Sequence, residues 1–148
     1  MGEGTVSARL LALAEAGRAM AAAPDAGTLA RAASEAVHDL LATEAVGLLA
    51  RTADAEHLEL LAFIGDYEGV EPGKRLPLDD EGAAARALKA GKCLREDGPP
   101  ARLVALLSDG DEALGGIEAQ SSEAGAFSQD DEAFLASLAR LAGFCLHA

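Results

Sequence analysis

Apolar positions in this chain repeat with a helical period at both ends and with a strand-like period between them. Val6, Leu10, Leu13, Gly17 and Met20 recur at the spacing of one helix face, widened by Leu11 and Ala14. Thr5 or Ser7 can cap the start of that helix, and Pro24 stops it. Asp25 then caps a second helix, whose inner face is Leu29, Ala33, Ala36, Val37, Leu40 and Leu41. At Thr43 the period changes. Residues 45–50 form a short apolar run ending at charge, residues 52–56 a turn, and residues 57–64 a returning strand, which together predict a hairpin.

Breakers at Gly65, Gly69, Pro72 and Gly73 make residues 65–75 a loop. Residues 76–78 are extended, because a residue before proline avoids the helical region. Asp79 or Asp80 caps a short helix over 81–90 that ends at Gly91. An edge strand follows at 93–96, and Gly98, Pro99 and Pro100 break the chain before strands at 103–107 and 114–121, joined by a turn at 108–111. The last helix spans 129–146. Ser128 and Asp131 supply a carboxylate version of the capping box, and three acids favour the positive end of the helix dipole. Its inner stripe is Phe134, Leu138, Leu141 and Cys145, with Leu135 and Ala142 beside it. The sum is an α+β fold: an antiparallel sheet of five or six strands with the N- and C-terminal helices packed on one face. One domain over residues 1–148 is expected, with residues 1–4 disordered.

Composition narrows the function classes. Half of the 148 residues are hydrophobic, enough for one sizeable core, but there is no Trp, one Tyr and four Phe. Close packing must therefore come from small residues. A formal net charge of −13 argues against nucleic acid and against an anionic membrane surface. No apolar run approaches the length of a membrane span, and no charged segment precedes one as in a signal peptide, so the cytoplasm is expected. Cys93 and Cys145 are distant in sequence and lack metal-ligand spacing. His38, His57 and His147 share no motif, and no catalytic triad, phosphate loop or carboxylate pair is visible. Neither a metal site nor a catalytic residue is expected, and the residues name no cofactor.

Seven of the twelve basic residues fall between Lys74 and Arg102, mixed with five acids. This segment reads either as an anion site fed by the start of the short helix or as a solvated face of mixed charge.

Several phrases resemble the GAF family in order and spacing. They are residues 13–18 with Asp25, residues 73–78, Gly82 with residues 83–87, Gly91-Lys92, residues 114–121, and Phe127-Ser128 with Asp131. PAS and roadblock folds are the alternatives. The GAF resemblance implies a ligand pocket on the sheet face opposite the terminal helices. It places Phe63, Tyr67 and Leu78 beside that pocket, and Arg86, Cys93 and Glu118 complete the candidate ligand contacts. Cyclic-nucleotide-binding members carry Asn-Lys followed by a Phe and Asp-Glu. Here Phe127, Asp131 and Glu132 are present, but Ser121-Ser122 stand where Asn-Lys would be. Bilin attachment needs a cysteine beside a histidine, and Leu94 follows Cys93. The methionine sulfoxide reductases of the family need neighbouring cysteines, whereas Cys145 belongs to the last helix. Ligand-binding members also roof the pocket with a long segment before the strand at 103–107. Only residues 98–102 remain here, so a shallow or open pocket is expected.

The resemblance also implies dimerisation through the terminal helices, with Val6, Leu10, Leu13, Leu135 and Leu146 as the interface candidates. The function expected is a non-catalytic regulatory module in signal transduction or transcription control. It would be a homodimer that binds a small molecule and signals to a partner protein. The alternatives are a structural interaction module without a pocket and a thiol enzyme built on Cys93.

Overall fold

A computed structural model describes residues 3–41, 43–65, 72–78, 82–109 and 112–147, and the side chains among them except those of residues 3–6, 109 and 147. The helices are α1 (Glu3–Ala22), α2 (Ala26–Leu40), α3 (Ala83–Ala90) and α4 (Gln129–His147). The strands are β1 (Ala45–Arg51), β2 (His57–Gly65), β3 (Arg75–Pro77), β4 (Leu94–Glu96), β5 (Ala101–Asp109) and β6 (Glu112–Ser121). They form one antiparallel sheet in the order β3-β2-β1-β6-β5-β4, so the first and last long strands meet at its centre.

Local chemistry sets most boundaries. The Asp25 carboxylate accepts the Thr28 amide at 2.7 Å and opens α2. Ser128 and Asp131 cap α4 reciprocally: Asp131 N donates to Ser128 Oγ at 3.1 Å, and Ser128 N donates to Asp131 Oδ2 at 2.9 Å. Gly91 ends α3 in the left-handed region, with φ of 69°. Two helix starts differ from expectation. α1 begins at Glu3, so Glu3 and Gly4 are helical; a helix end readily shifts by a residue or two. α3 begins at Ala83 with Gly82 as its cap and no side-chain cap bond; Asp79 and Asp80 lie outside the described residues.

The layers form as apolar faces find partners. α2 packs on β1 and β2, and α4 on β5 and β6, so these two helices cover one sheet face. α1 lies over α2 and α4. The main core fills this side, with Met20, Val37, Val46, Leu48, Leu103, Leu107, Ile117, Leu135 and Leu138 all nearly or completely buried. α3 covers part of the other face with Ala83, Ala84, Ala85 and Ala87, beside Leu49, Leu58, Leu60 and Val104. Its small side chains let the helix lie close to the sheet.

The face of α4 that meets the sheet is turned relative to the expected stripe. Leu135, Ala139, Ala142 and Gly143 are buried, while Leu141 is exposed. The cause is Gly143, where the helix closes directly onto the β5 backbone. Leu135 is therefore a core residue with no exposed surface, which corrects its assignment to a dimer interface. Leu10 is exposed, Leu13 and Leu146 are half-buried, and the Val6 side chain lies outside those described.

Alternation along β2 also breaks. Leu49 pairs with Leu60 and Leu48 with Ala62, so Leu61 is an extra residue. Leu58 and Leu60 face the α3 side, Ala62 joins the main core, and Phe63 returns to the α3 side. A strict period of two would have placed Phe63 on the helix side.

Candidate ligand pocket

Odd-numbered residues of β1 point away from the terminal helices, and Gly47 is the smallest of them. A Cβ there would meet Leu60 Cδ1 at 3.1 Å and Phe63 Cδ1 at 3.6 Å. Its absence leaves a concavity of about 210 Å³ on the sheet face opposite α1, α2 and α4. Ala45, Gly47 and Leu49 of β1 form the floor, Leu60 and Phe63 of β2 one wall, and Glu118 and Gln120 of β6 the other. Lys74 and Leu76 border it from the β3 side. The lining is mostly hydrocarbon with a few polar groups, the usual make-up of a small-molecule site.

Glu118 is the chemically distinctive member. Burial pushes its carboxyl above the usual carboxylate range. The field of Arg102, an amide hydrogen bond from Ala84 and the field of Arg86 pull it down, while Glu96 adds to the rise. Glu118 is thus tied to the first turn of α3 and stands between hydrocarbon and an ion-pair network. In that network Arg86 holds Glu96 bidentately at 2.7 and 3.0 Å, and Arg102 lies 3.8 Å from Glu96. The Arg86 hydrogen bonds hold the Glu96 carboxyl below its ordinary range.

Of the ligand contacts expected from sequence, Phe63 and Glu118 line the pocket. Leu78 packs beside them in the α3-side cluster. Tyr67 lies outside the described residues. Arg86 is paired with Glu96 rather than among the lining residues. Cys93 packs against the main core on the helix side, which corrects its placement in the pocket; the next residue, Leu94, takes the α3 side by strand alternation. Both cysteines are free. Sequence reasoning missed Ala45, Gly47, Leu49, Leu60, Lys74, Leu76 and Gln120. The β1 and β6 members could have been found by following alternate positions. Those of β2 could not, because the bulge reverses its facing.

The basic segment is largely occupied by ion pairs. Arg75 pairs with Glu59 at 3.1 Å, Arg86 and Arg102 reach Glu96, and Arg95 lies 3.6 Å from Glu132. This is a face of mixed charge. The Phe127, Asp131 and Glu132 set is likewise used in folding: Phe127 is buried, Asp131 caps α4 and pairs with Arg9, and Glu132 faces Arg95. At the β1–β2 turn, Asp54, Glu56 and His57 bring potential metal-ligating atoms within 4.8 Å of one another. One oxygen of Asp54 already accepts the Thr52 hydroxyl and the Glu56 amide, so turn formation accounts for the grouping.

No family model matches the sequence, and no curated protein sequence matches it. Structures do. The GAF domain of an Acinetobacter phosphoenolpyruvate-protein phosphotransferase superposes with a TM-score of 0.85 at 13% identity, over 99% of this chain and 95% of that one. The free methionine-R-sulfoxide reductase of Neisseria meningitidis, solved in complex with its substrate, gives 0.82 at 15% identity, over 99% and 92%. The GAF-B domain of DevS from Mycobacterium smegmatis gives 0.70 at 22% identity, over 83% and 93%. The chain therefore has the GAF-domain fold, with a six-stranded antiparallel sheet and four helices among the described residues. No helix among the described residues is long and apolar enough to cross a membrane.

Proposed function

We propose that this chain is a non-catalytic sensory or regulatory GAF-type module, working in the cytoplasm as a homodimer in signal transduction or transcription control. The observation that carries this reading is the pocket, with Gly47 at its floor and Glu118 and Phe63 on its walls. Thiol chemistry there is disfavoured because Cys93 faces the other core.

Signal transfer follows from strand geometry. On β1, Gly47 and Leu49 border the pocket while Val46 and Leu48 sit in the core beneath the helices; on β6, Glu118 alternates with Ile117 and Ala119 in the same way. A ligand that shifts either strand displaces side chains packed against α2 and α4. No separate relay is needed.

The output side is an apolar seam on α1 and α4. Leu10 is 62% exposed, Leu11 59%, Leu141 38% and Phe144 67%. The helices run parallel, since Arg9 pairs with Asp131 and Gly17 faces Leu141 further along both. These four residues are therefore strung along the pair, and a second copy would cover them as an isologous bundle. A partner protein would read the geometry of that bundle.

A thermal-shift screen with nucleotides, amino acids, haem-type ligands and small aromatic amines, alcohols and carboxylates, combined with light scattering, tests the reading. Stabilisation by a ligand that also perturbs pocket amides supports it. A monomer that responds to none of them would sink it and leave a structural module without a ligand.

A further inference from the structure

We infer, resting on the pocket reading above, that the ligand class is a small apolar amine whose ammonium group meets Glu118 and whose hydrocarbon lies on Leu49, Leu60 and Phe63. Size sets the first limit. A volume of about 210 Å³ is the liquid share of about seven waters and lies below the ~300 Å³ at which drug-sized pockets begin. It fits a compact molecule of about ten non-hydrogen atoms, smaller than a nucleotide or a tetrapyrrole.

Charge sets the second. Glu118 offers only acceptor oxygens when ionised, so its ligand must bring a donor. Its proton affinity is raised by burial despite the fields of Arg102 and Arg86, and both of those guanidiniums are drawn to Glu96. On the pocket side Glu118 faces hydrocarbon, and a ligand ammonium gives its carboxylate a charged partner there. A carboxylate ligand would set two anions in one apolar site. Lys74 also borders the pocket and would favour an anion, so an acidic probe belongs in the test.

The test compares 2-phenylethylamine, 2-phenylethanol and phenylacetate by calorimetry, with amide NMR to locate each. The amine is expected to shift the amides of Gly47, Leu60 and Glu118 and to bind about tenfold tighter than the alcohol, the difference a charge-assisted hydrogen bond supplies. E118Q is expected to bring the amine down to the affinity of the alcohol and to leave the alcohol unchanged. Should that variant not fold, the comparison of amine with alcohol in the unmodified chain decides alone. Equal or tighter binding of the alcohol or of phenylacetate at these amides overturns the amine assignment while the pocket stands. If no probe shifts them, the pocket reading falls and takes this inference with it.

Discussion

Gly143 of α4 rests on the main chain of Ser108 in β5. A Cβ built at Gly143 would stand 2.5 Å from the Ser108 carbonyl oxygen and 2.6 Å from its nitrogen. Neither atom can turn aside, because both belong to a strand paired with β4 and β6. This contact fixes the rotation of α4. It sends Leu135 and Leu138 into the core and leaves Leu141 and Phe144 outside.

Gly143→Ala should therefore destabilise the domain by about 1–3 kcal/mol, the cost of overpacking against backbone. Gly17→Ala should do the opposite. There the new Cβ would lie 3.7 Å from Leu141 Cδ1, an ordinary contact, and the helix gains up to about 1 kcal/mol in propensity. Urea denaturation of the two variants checks the pair. Equal effects would mean that α4 does not sit on the Ser108 backbone.

The proposed dimer gives a second contrast. Leu10→Glu combined with Phe144→Glu changes exposed positions, so it should yield monomers that unfold at the urea concentration expected for a folded protomer. Leu135→Ala should cost about 2–5 kcal/mol through a core cavity. Sedimentation equilibrium separates the two outcomes, and a dimer that survives both charges would place the interface elsewhere.

Gly47→Val should fill the pocket. Its Cβ would meet the flexible ends of Leu60 and Phe63, which can give way, so the fold should persist. Any ligand that raises the melting temperature of the parent should leave this variant unmoved. Retained stabilisation would show that the ligand binds away from β1.

Stability should respond to pH through two carboxylates in opposite directions. Glu118 has a raised folded-state pKa, so its contribution is full below the unfolded value and is lost as pH rises through the folded one. Glu118→Gln cannot lose a proton there, and its advantage over the parent should grow as pH rises above the ordinary carboxylate range. Glu96 has a lowered folded-state pKa, so its contribution is present above the unfolded value and is lost as pH falls through the folded one. With about a third of its side chain exposed, Glu96→Gln should cost under about 1 kcal/mol at neutral pH and flatten the acid limb. Urea midpoints taken between about pH 3 and pH 8 test both signs. Parallel profiles for parent and Glu118→Gln would mean that Glu118 is not desolvated.

What the amino-acid order determines here is local. Asp25, Ser128 with Asp131, and Gly91 announce their helix ends because each cap is closed by atoms within a few residues. The strands are legible because alternation and breakers act over the same short range, and the order of elements sufficed for a GAF-like expectation. The opposite sides of the sheet were also legible at Glu118 and Phe63, although Phe63 reaches the pocket through a bulge that no local signal shows.

Tertiary contact decided the rest. Whether Leu135 or Leu141 turns inward depends on where α4 can approach β5, and that is set by a glycine against a backbone 35 residues earlier in the chain. Cys93 and Leu94 look equally apolar in sequence, and only the sheet assigns them to different cores. The pocket itself is an absence, the side chain that Gly47 lacks, and it acquires a shape only when β2 and β6 close around it. Caps and turns bond over short spans and can be read in one dimension. Facing, rotation and cavities depend on excluded volume between distant segments, which exists only once the chain has packed.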